Sequence, residues 1–324
     1  MPPKSATATE TAASLNLLNR IQNIRKALIN SNESVFLGTP DAFDQVMWFQ
    51  DDRESYVAKN VQTTDNASLE SASKPDPVKF SMIARITRND TFVTPDGNYR
   101  GPSDYIKHFD QLKLTIALGR DSELDIVQLN EDFNTAYSTL TKLKEAKAGT
   151  DSSVVGAIGV SRADLQPKIK LRHEVFSVTE SAFINEETGS SSAQPKVNEL
   201  QLAGYPVKSV QAKAEVAEMI SSRSHELVPL PAYEQLDDRF KPVELLPLQY
   251  NSHLEGALTV VEFLFAHNYF SKEKKHCFMA DVYSIYVIDP RRRQPASPRK
   301  LALKRKAAPD FATPSNGKGK ARAV

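Results

Sequence analysis

The sequence is poor in cysteine, because Cys277 is its only one. A single cysteine excludes an intrachain disulfide and any structural zinc site built on several thiolates. There is no run of about 18 uncharged apolar residues, so no membrane-spanning helix and no membrane contact are predicted. The N-terminus lacks the apolar segment of a secretory signal. These absences predict an intracellular protein in a reducing compartment.

Recognisable catalytic motifs are also lacking. The Gly156–Gly159 stretch is not followed by the Gly-Lys-Ser/Thr of a phosphate-binding loop. His253 and Glu255 match half of a zinc-deaminase signature, whose paired cysteines are missing. His276 precedes Cys277, but adjacent residues on a strand point to opposite faces, which disfavours a nucleophile–base pair. The sequence therefore predicts no catalytic residue, metal or cofactor, and leaves open an enzyme whose site no motif reveals.

Charge is distributed very unevenly along the 324 residues. The formal net charge is only +1, yet the last 35 residues hold eleven basic side chains and one acid, Asp310. Of the chain's 41 basic and 40 acidic residues, 30 and 39 therefore lie in residues 1–289. This split predicts an acidic globule with a basic arm, residues 290–324. The arm is the expected contact for a polyanion.

Two basic clusters in the arm resemble a bipartite nuclear localisation signal. A ten-residue spacer separates them, and two tethered clusters can engage two acidic sites at once. The resemblance implies nuclear import through an importin-type adaptor. The predicted import residues are Arg291, Arg292, Arg293, Lys304, Arg305 and Lys306.

All cations of the arm are predicted to contact nucleic acid. They are Arg291, Arg292, Arg293, Arg299, Lys300, Lys304, Arg305, Lys306, Lys318, Lys320 and Arg322. Ser297 begins a Ser-Pro-Arg-Lys stretch that resembles a proline-directed kinase site, where phosphate would remove about two positive charges. The same stretch also resembles a DNA arm that enters the minor groove.

Apolar periodicity predicts an α+β fold with a mixed sheet. Strands are expected near 80–93, 168–178 and 277–288 because apolar residues alternate or run continuously there. On the second strand, Lys168, Lys170 and Arg172 occupy the polar face, as a phosphate track or simply a solvated face. Near the predicted strand 80–93, basic and aromatic residues alternate: Arg85, Arg88 and Arg100 with Phe92 and Tyr99. Such residues either bind a single nucleic-acid strand or form a solvated sheet face.

Amphipathic helices are predicted at several places. A helix over 13–29 carries the stripe Leu17, Ile21, Ile24 and Leu28, which would pack on the body or dimerise as a coiled coil. Helices over 126–143 and 208–221 have comparable stripes. Further helices are expected from Asp41, over 103–118 and over 254–270. The last of these is apolar all round, which indicates burial or an interface.

The predicted organisation has five parts. Residues 1–12 are a disordered N-terminus, 13–61 a helical segment, 62–77 a linker, 78–289 an α+β core and 290–324 a disordered basic tail. The predicted function is that of a nuclear, non-enzymatic protein associated with nucleic acid or chromatin through its arm. The alternatives are a self-assembling structural protein of nucleocapsid type and an enzyme. The sequence does not fix the oligomeric state.

Overall fold

A computed structural model describes residues 8–51, 54–60, 74–97, 99–103, 106–121, 124, 126–149, 153–161, 163–178, 204–222, 224–234 and 241–290. Most of the predicted linker and the whole tail from Arg291 onward therefore lie outside the described residues. Residues 8–12, predicted to be disordered, belong to the first helix.

The described residues form four α-helices, two 3-10 helices and fourteen strands. The helices are α1 Ala8–Ile29, α2 Val127–Ala148, α3 Val210–Ser222 and α4 Tyr250–Leu254, with 3-10 helices Pro40–Phe43 and Phe109–Gln111. The strands are β1 Ser34–Phe36, β2 Val46–Asp51, β3 Glu54–Lys59, β4 Lys79–Ile86, β5 Lys113–Gly119, β6 Ser153–Gly156, β7 Ile158–Val160, β8 Pro167–Glu174, β9 Phe176–Val178, β10 His225–Leu227, β11 Ala232–Glu234, β12 Val243–Glu244, β13 Leu258–Phe270 and β14 Lys275–Asp289.

Five of these strands close into a ring. β4 pairs with β5, β5 with β8, β14 with β13 and β13 with β4, all antiparallel. β8 and β14 run parallel and meet at Arg172 and Asp281. If the ring strands β4, β5, β8, β13 and β14 are numbered one to five in chain order, their order around the ring is one, two, three, five, four. Strands three and five run parallel. This is the strand order of an OB-fold, a five-stranded Greek-key barrel.

The remaining strands extend this ring into a single mixed sheet. The β13–β14 hairpin continues beyond the ring, where β6 pairs with its β14 edge and β3, followed by β2, with its β13 edge. β1 joins β4, β7 joins β8, and β11 with β12 joins the far end of β14. β9 and β10 form a separate two-stranded ladder.

Alternation along the ring strands sends one set of side chains into the barrel. Phe80, Ile116, Leu171 and Phe263 point inward and are almost fully buried. α2 adds Phe133 and its other apolar residues to the same core, and α3 also packs against it. A second cluster lies outside the barrel, where α1 covers part of its outer surface.

The α+β fold and the mixed sheet are confirmed. The three predicted strand regions all enter the main sheet, and the segment 277–288 is central in it because β14 pairs with four other strands. The predicted helices 13–29, 126–143 and 208–221 correspond to α1, α2 and α3. The α1 stripe packs on the body, with Ile21 buried and its other three apolar residues partly buried.

Three predicted helices are wrong. The helix expected from Asp41 is a 3-10 turn followed by β2, because Val46–Asp51 pairs along its length with β3. The region 13–61 is accordingly helical only to Ile29, apart from that turn. The helix expected over 103–118 is a 3-10 turn followed by β5, whose inward residues alternate.

The predicted helix 254–270 is mainly strand β13. Its residues are apolar on all sides because both faces of the strand are buried. Val261 and Phe263 face the barrel interior, while Leu258 and Val260 face outward and lie under α1. Of the strand region predicted near 80–93, residues 80–86 belong to β4, and Phe92 forms an isolated bridge with Thr115 of β5.

Candidate functional site

The candidate site begins on the outer surface of β5 and β8. The inward positions of these strands are apolar, so the alternate positions carry their polar groups outward. Thr115 on β5 faces outward and is directly opposite Arg172 on β8. The predicted strand with Lys168, Lys170 and Arg172 on one face is thus confirmed. Whether these cations contact phosphate stays a prediction.

Register across the sheet extends this surface into a row that crosses several strands. Phe92 is opposite Thr115, Thr115 is opposite Arg172, and Arg172 is opposite Asp281. Asp281 is in turn opposite Leu264 of β13, which is opposite Lys79 of β4. We call these six residues the transverse row: Phe92, Thr115, Arg172, Asp281, Leu264 and Lys79.

Two aromatic rings of this surface are open to solvent. The Phe92 residue is 41% exposed, and Tyr283, two residues beyond Asp281 on β14, is 50% exposed. Tyr283 projects from a bulge, where β14 carries one more residue than its partner β13. The Lys79 Nζ atom lies 4.5 Å from the centre of the Tyr283 ring. An exposed ring with an adjacent cation can stack on a base and attract its phosphate.

The cations of β5 and β8 all have carboxylate partners. The pairs are Lys113–Glu174 (2.6 Å), Lys168–Asp164 (3.0 Å), Lys170–Asp90 (3.7 Å) and Arg172–Asp281. In the last pair the guanidinium makes two bonds, of which Nη2 to Oδ2 is 3.1 Å. This surface is therefore close to neutral, in contrast to what its lysines and arginine suggest in the sequence.

Two pKa values reflect this pairing. The hydrogen bond from Lys113 lowers the pKa of Glu174. Burial opposes ionisation of Asp164, but hydrogen bonds from the Gln166 backbone and from Lys168 lower its pKa to about 2. Both carboxylates are thus ionised at neutral pH.

The β13–β14 hairpin supplies a second, less neutral part of the site. At its tip Tyr269 and Phe270 are 50% and 49% exposed. Three lysines follow them in the turn and at the start of β14, and among the described residues none of the three makes an ion pair. These are Lys272, Lys274 and Lys275. We call residues 269–276 the hairpin tip.

A stack of rings underneath holds the hairpin tip in place. The His276 ring lies 4.7 Å from Tyr269 and 5.0 Å from His267, and His267 Nε2 is 2.8 Å from His276 Nδ1. His267 also packs against Trp48, whose indole donates to the Leu143 carbonyl of α2. Burial, with the nearby His276 and Lys147, lowers the pKa of His267 to about 4.

Phe270 and Lys275 of the hairpin tip share one outer face with the transverse row, whereas Tyr269 is opposite His276 and lies on the other face. Lys275, Cys277, Met279 and Asp281 alternate outward along β14, while His276 points to the opposite face. Cys277 is half-buried there, so its separation from His276 agrees with the expectation for a strand. Six residues at about 3.3 Å each make the track from Asp281 to Lys275 about 20 Å long.

Most of the basic and aromatic residues that alternate in the sequence near β4 do not belong to the candidate surface. Arg85 is buried and its guanidinium donates to Asp121 (2.6 Å) and to the Gly256 carbonyl (2.7 Å), so it is structural. Tyr99 is buried and donates to Glu215. Arg88 and Arg100 are exposed. Of the aromatic residues in that group, only Phe92 reaches the candidate surface.

Sequence reasoning missed Tyr283 and the hairpin tip. A signal was present, because Tyr269-Phe270-Ser271-Lys272-Glu273-Lys274-Lys275 is the only polar break between two long apolar runs. The predicted import and nucleic-acid residues from Arg291 to Arg322, and Ser297, lie outside the described residues.

A separate polar cleft of about 170 Å³ lies between α3, the second 3-10 helix and β10. Its Glu215 accepts hydrogen bonds from the Tyr99 hydroxyl (2.5 Å) and the Phe109 backbone (2.6 Å). Burial and then Glu215 raise the pKa of Tyr99 to about 12. His225 Nε2 lies 3.4 Å from Asp110. These bonds hold the cleft walls together, and Ser224, which also lines the cleft, has its Oγ atom 2.8 Å from His225 Nδ1.

Within the described residues no group of three or more His, Cys, Asp or Glu is arranged to hold a metal ion. None of the helices in the described ranges is long and apolar enough to cross a membrane.

Comparisons with known proteins give little. No protein-family model matches the chain, and no curated protein matches it in sequence. Among solved structures, gp2.5, a single-stranded DNA binding protein encoded by bacteriophage T7, is similar over 74% of this chain and 100% of its own. The identity is 8% and the TM-score 0.35. A likeness this weak supports no conclusion about this chain.

Proposed function

We propose that this protein binds nucleic acid and catalyses no reaction. The observation that carries the proposal is the outer face of the barrel, where an exposed ring with a neighbouring lysine lies at each end of a track of about 20 Å: Tyr283 with Lys79 at one end and Phe270 with Lys275 at the other. Phe92, Tyr283 and Phe270 offer rings on which bases can stack. Lys79, whose Nζ atom is also 3.8 Å from the exposed Glu33, lies beside Tyr283, and Lys275 is opposite Phe270.

The barrel topology agrees with this proposal. OB-fold barrels bind oligonucleotides and oligosaccharides on the face of their second and third strands and with the loop between the fourth and fifth. Here those elements are β5, β8 and the β13–β14 hairpin. Because a fold alone does not define function, the choice rests on the residues. Lysines beside exposed rings favour a polyanion over a neutral sugar chain.

The basic arm would add nonspecific affinity and a nuclear address. Its resemblance to a bipartite import signal supports a nuclear location and an importin-type partner, and Ser297 would be a regulatory phosphorylation site. If all eleven cations contacted phosphates of duplex DNA, the slope of log K against log salt would approach about −10. Partial engagement would give about half of that.

Binding can be tested by fluorescence anisotropy with a labelled oligonucleotide of about 16 bases at several salt concentrations. We expect the full chain to bind, and Phe270→Ala with Tyr283→Ala to weaken binding at least tenfold. Full affinity in this double variant, with its fold intact by circular dichroism, would place binding elsewhere. The control is Val210→Ala, an exposed apolar residue at the start of α3 and outside the proposed track.

The arm needs a separate test. A fluorescent fusion of the full chain should accumulate in the nucleus, and the same fusion lacking residues 290–324 should not. A variant with Lys304, Arg305 and Lys306 changed to Gln removes only the second cluster of the import signal. Unchanged nuclear accumulation of that variant would argue against a bipartite signal.

A further inference from the structure

The centre of the transverse row is a charge pair with the geometry of a ligand contact. Arg172 meets Asp281 through two parallel bonds, Nε to Oδ1 and Nη2 to Oδ2. An arginine fork binds phosphate in the same bidentate manner. The side chains are 28% and 38% exposed, so the pair is accessible from solvent. Asp281 therefore occupies the place that a backbone phosphate would take on Arg172.

A phosphate can reach Arg172 only by displacing this carboxylate. The exchange replaces one charge-assisted pair by another, so the net gain is small, and the displaced carboxylate then repels the phosphate. Lys113, Lys168 and Lys170 also have carboxylate partners, through one Nζ–oxygen contact each. The barrel face should consequently gain little from phosphate contacts alone.

Base stacking is not reduced by these pairs. Phe92 lies two strand spacings from Arg172, about 10 Å, and Tyr283 is two residues from Asp281, about 7 Å. Stacking of a base on an aromatic side chain contributes about 1–3 kcal/mol. Only a single strand exposes its bases for such contacts, because duplex bases are stacked on one another.

Resting on the proposed nucleic-acid binding, we infer that Asp281 is a specificity determinant: by occupying the Arg172 fork it suppresses phosphate-only contacts, so that the barrel face selects single strands over duplex. Arg172 and Asp281 separate the strand positions of the two exposed rings, Phe92 and Tyr283. Its role is to weaken the contact that both forms of nucleic acid share.

The experiment measures affinities of the full chain for a single strand and for the duplex of the same sequence, with Asp281→Asn as the main variant. Asparagine keeps the size of the side chain and removes its charge, so Arg172 becomes available. We expect duplex affinity to rise about tenfold and single-strand affinity about threefold, and the salt slope for duplex to steepen by about one. The preference for single strands thus falls about threefold.

Two further variants make the result specific. Arg172→Gln combined with Asp281→Asn creates no available cation, so the preference should return to that of the wild type. Glu131→Gln removes one negative charge from the exposed side of α2 and should leave the preference unchanged. A melting curve of each variant checks that the barrel is intact.

The outcomes separate the two proposals. If the wild-type chain binds neither form, nucleic-acid binding itself is wrong. If it binds and Asp281→Asn leaves the preference unchanged, the role of Asp281 is wrong while the proposed function stands. The same holds if the double variant keeps the reduced preference of Asp281→Asn, because the effect would then not pass through Arg172.

Discussion

The barrel has two outer surfaces that are built on the same strands and differ in what covers them. At one end, the outward residues of β4, β13 and β14 are Ile83, Leu258, Val260 and Ile288, and α1 packs over them. At the other end, the outward residues of the same three strands are Lys79, Leu264 and Asp281, all of which keep part of their surface open to solvent.

This difference shows how the chain assigns its strand positions. All three strands alternate, with apolar side chains in the barrel, so the inward positions do not distinguish the two ends. The outward positions do. Apolar outward residues stabilise the fold by packing under α1, whereas charged and aromatic ones are left for solvent or a ligand. Function is therefore expected where the outward residues cease to be apolar.

The largest expected effect is a difference in the free energy of unfolding between alanine substitutions of two nearby arginines. Arg85 is buried at the covered end and bonded to Asp121, while Arg88 is exposed. Arg85→Ala should lower the free energy of unfolding by about 3–5 kcal/mol, because it leaves Asp121 buried without its main partner. Arg88→Ala should lower it by less than about 0.5 kcal/mol. Urea unfolding measures both.

Similar losses for Arg85→Ala and Arg88→Ala would mean that the buried ion pair at the covered end contributes no more to stability than an exposed arginine does. A loss for Arg85→Ala below about 1 kcal/mol would mean that water replaces the missing hydrogen bonds, and that this end is more open than the packing shows.

The second prediction compares apolar outward residues directly. Ile83 is 1% exposed under α1, and Tyr283 is 50% exposed on the uncovered end. Ile83→Ala should lower the free energy of unfolding by about 2–5 kcal/mol through reduced burial and the cavity left behind. Tyr283→Ala should lower it by less than about 1 kcal/mol, although it removes more atoms. Chemical denaturation followed by tryptophan fluorescence is suitable, because Trp48 is the only tryptophan.

Much of the fold could be predicted from sequence, and the reasons for the failures are specific. α2 was predicted because Leu129, Phe133, Ala136 and Leu140 repeat at helical spacing and no strand partner competes. β13 was predicted as a helix instead, because burial of both its faces removes the apolar–polar alternation that marks a strand. Pairing between distant segments decided its state, and such pairing leaves no local pattern.

The candidate site was less predictable than the fold. The polar face of β8 could be read from the alternation of Lys168, Lys170 and Arg172. That their charges are neutralised could not, since Asp281 is 109 residues away from Arg172 along the chain. The transverse row exists only through strand register, which depends on the whole barrel.

The third prediction concerns pH and the ring stack beneath the hairpin tip. The folded state holds His267 neutral, with a pKa of about 4 against the usual 6.5. Between these values the unfolded chain binds a proton that the folded chain does not, so stability falls as pH is lowered from about 6.5 to 4 and this contribution then levels off. The loss should be at most about 3 kcal/mol.

His267→Phe should flatten this part of the pH profile, because phenylalanine keeps the ring contacts with Trp48 and Phe278 and cannot titrate. His108→Gln, at an exposed histidine near the polar cleft, is measured alongside as the control for removing an imidazole elsewhere. Thermal melts at pH 4.5 and 6.5 on the three proteins are sufficient. An identical slope in His267→Phe and wild type would mean that other groups cause the acid sensitivity.

The smallest expected effect tests whether the uncovered end includes the hairpin tip. Changing Lys272 and Lys274 to Gln should leave stability unchanged and reduce the salt slope of single-strand binding by about 1.4, or 0.7 for each phosphate that is no longer neutralised. Lys26 and Lys142 are exposed on α1 and α2, so the same change there is the control and should leave the slope unaltered. Equal changes in both double variants would indicate a general effect of net charge. Lys272 and Lys274 would then not contact the nucleic acid directly, and the hairpin tip would not belong to the binding surface.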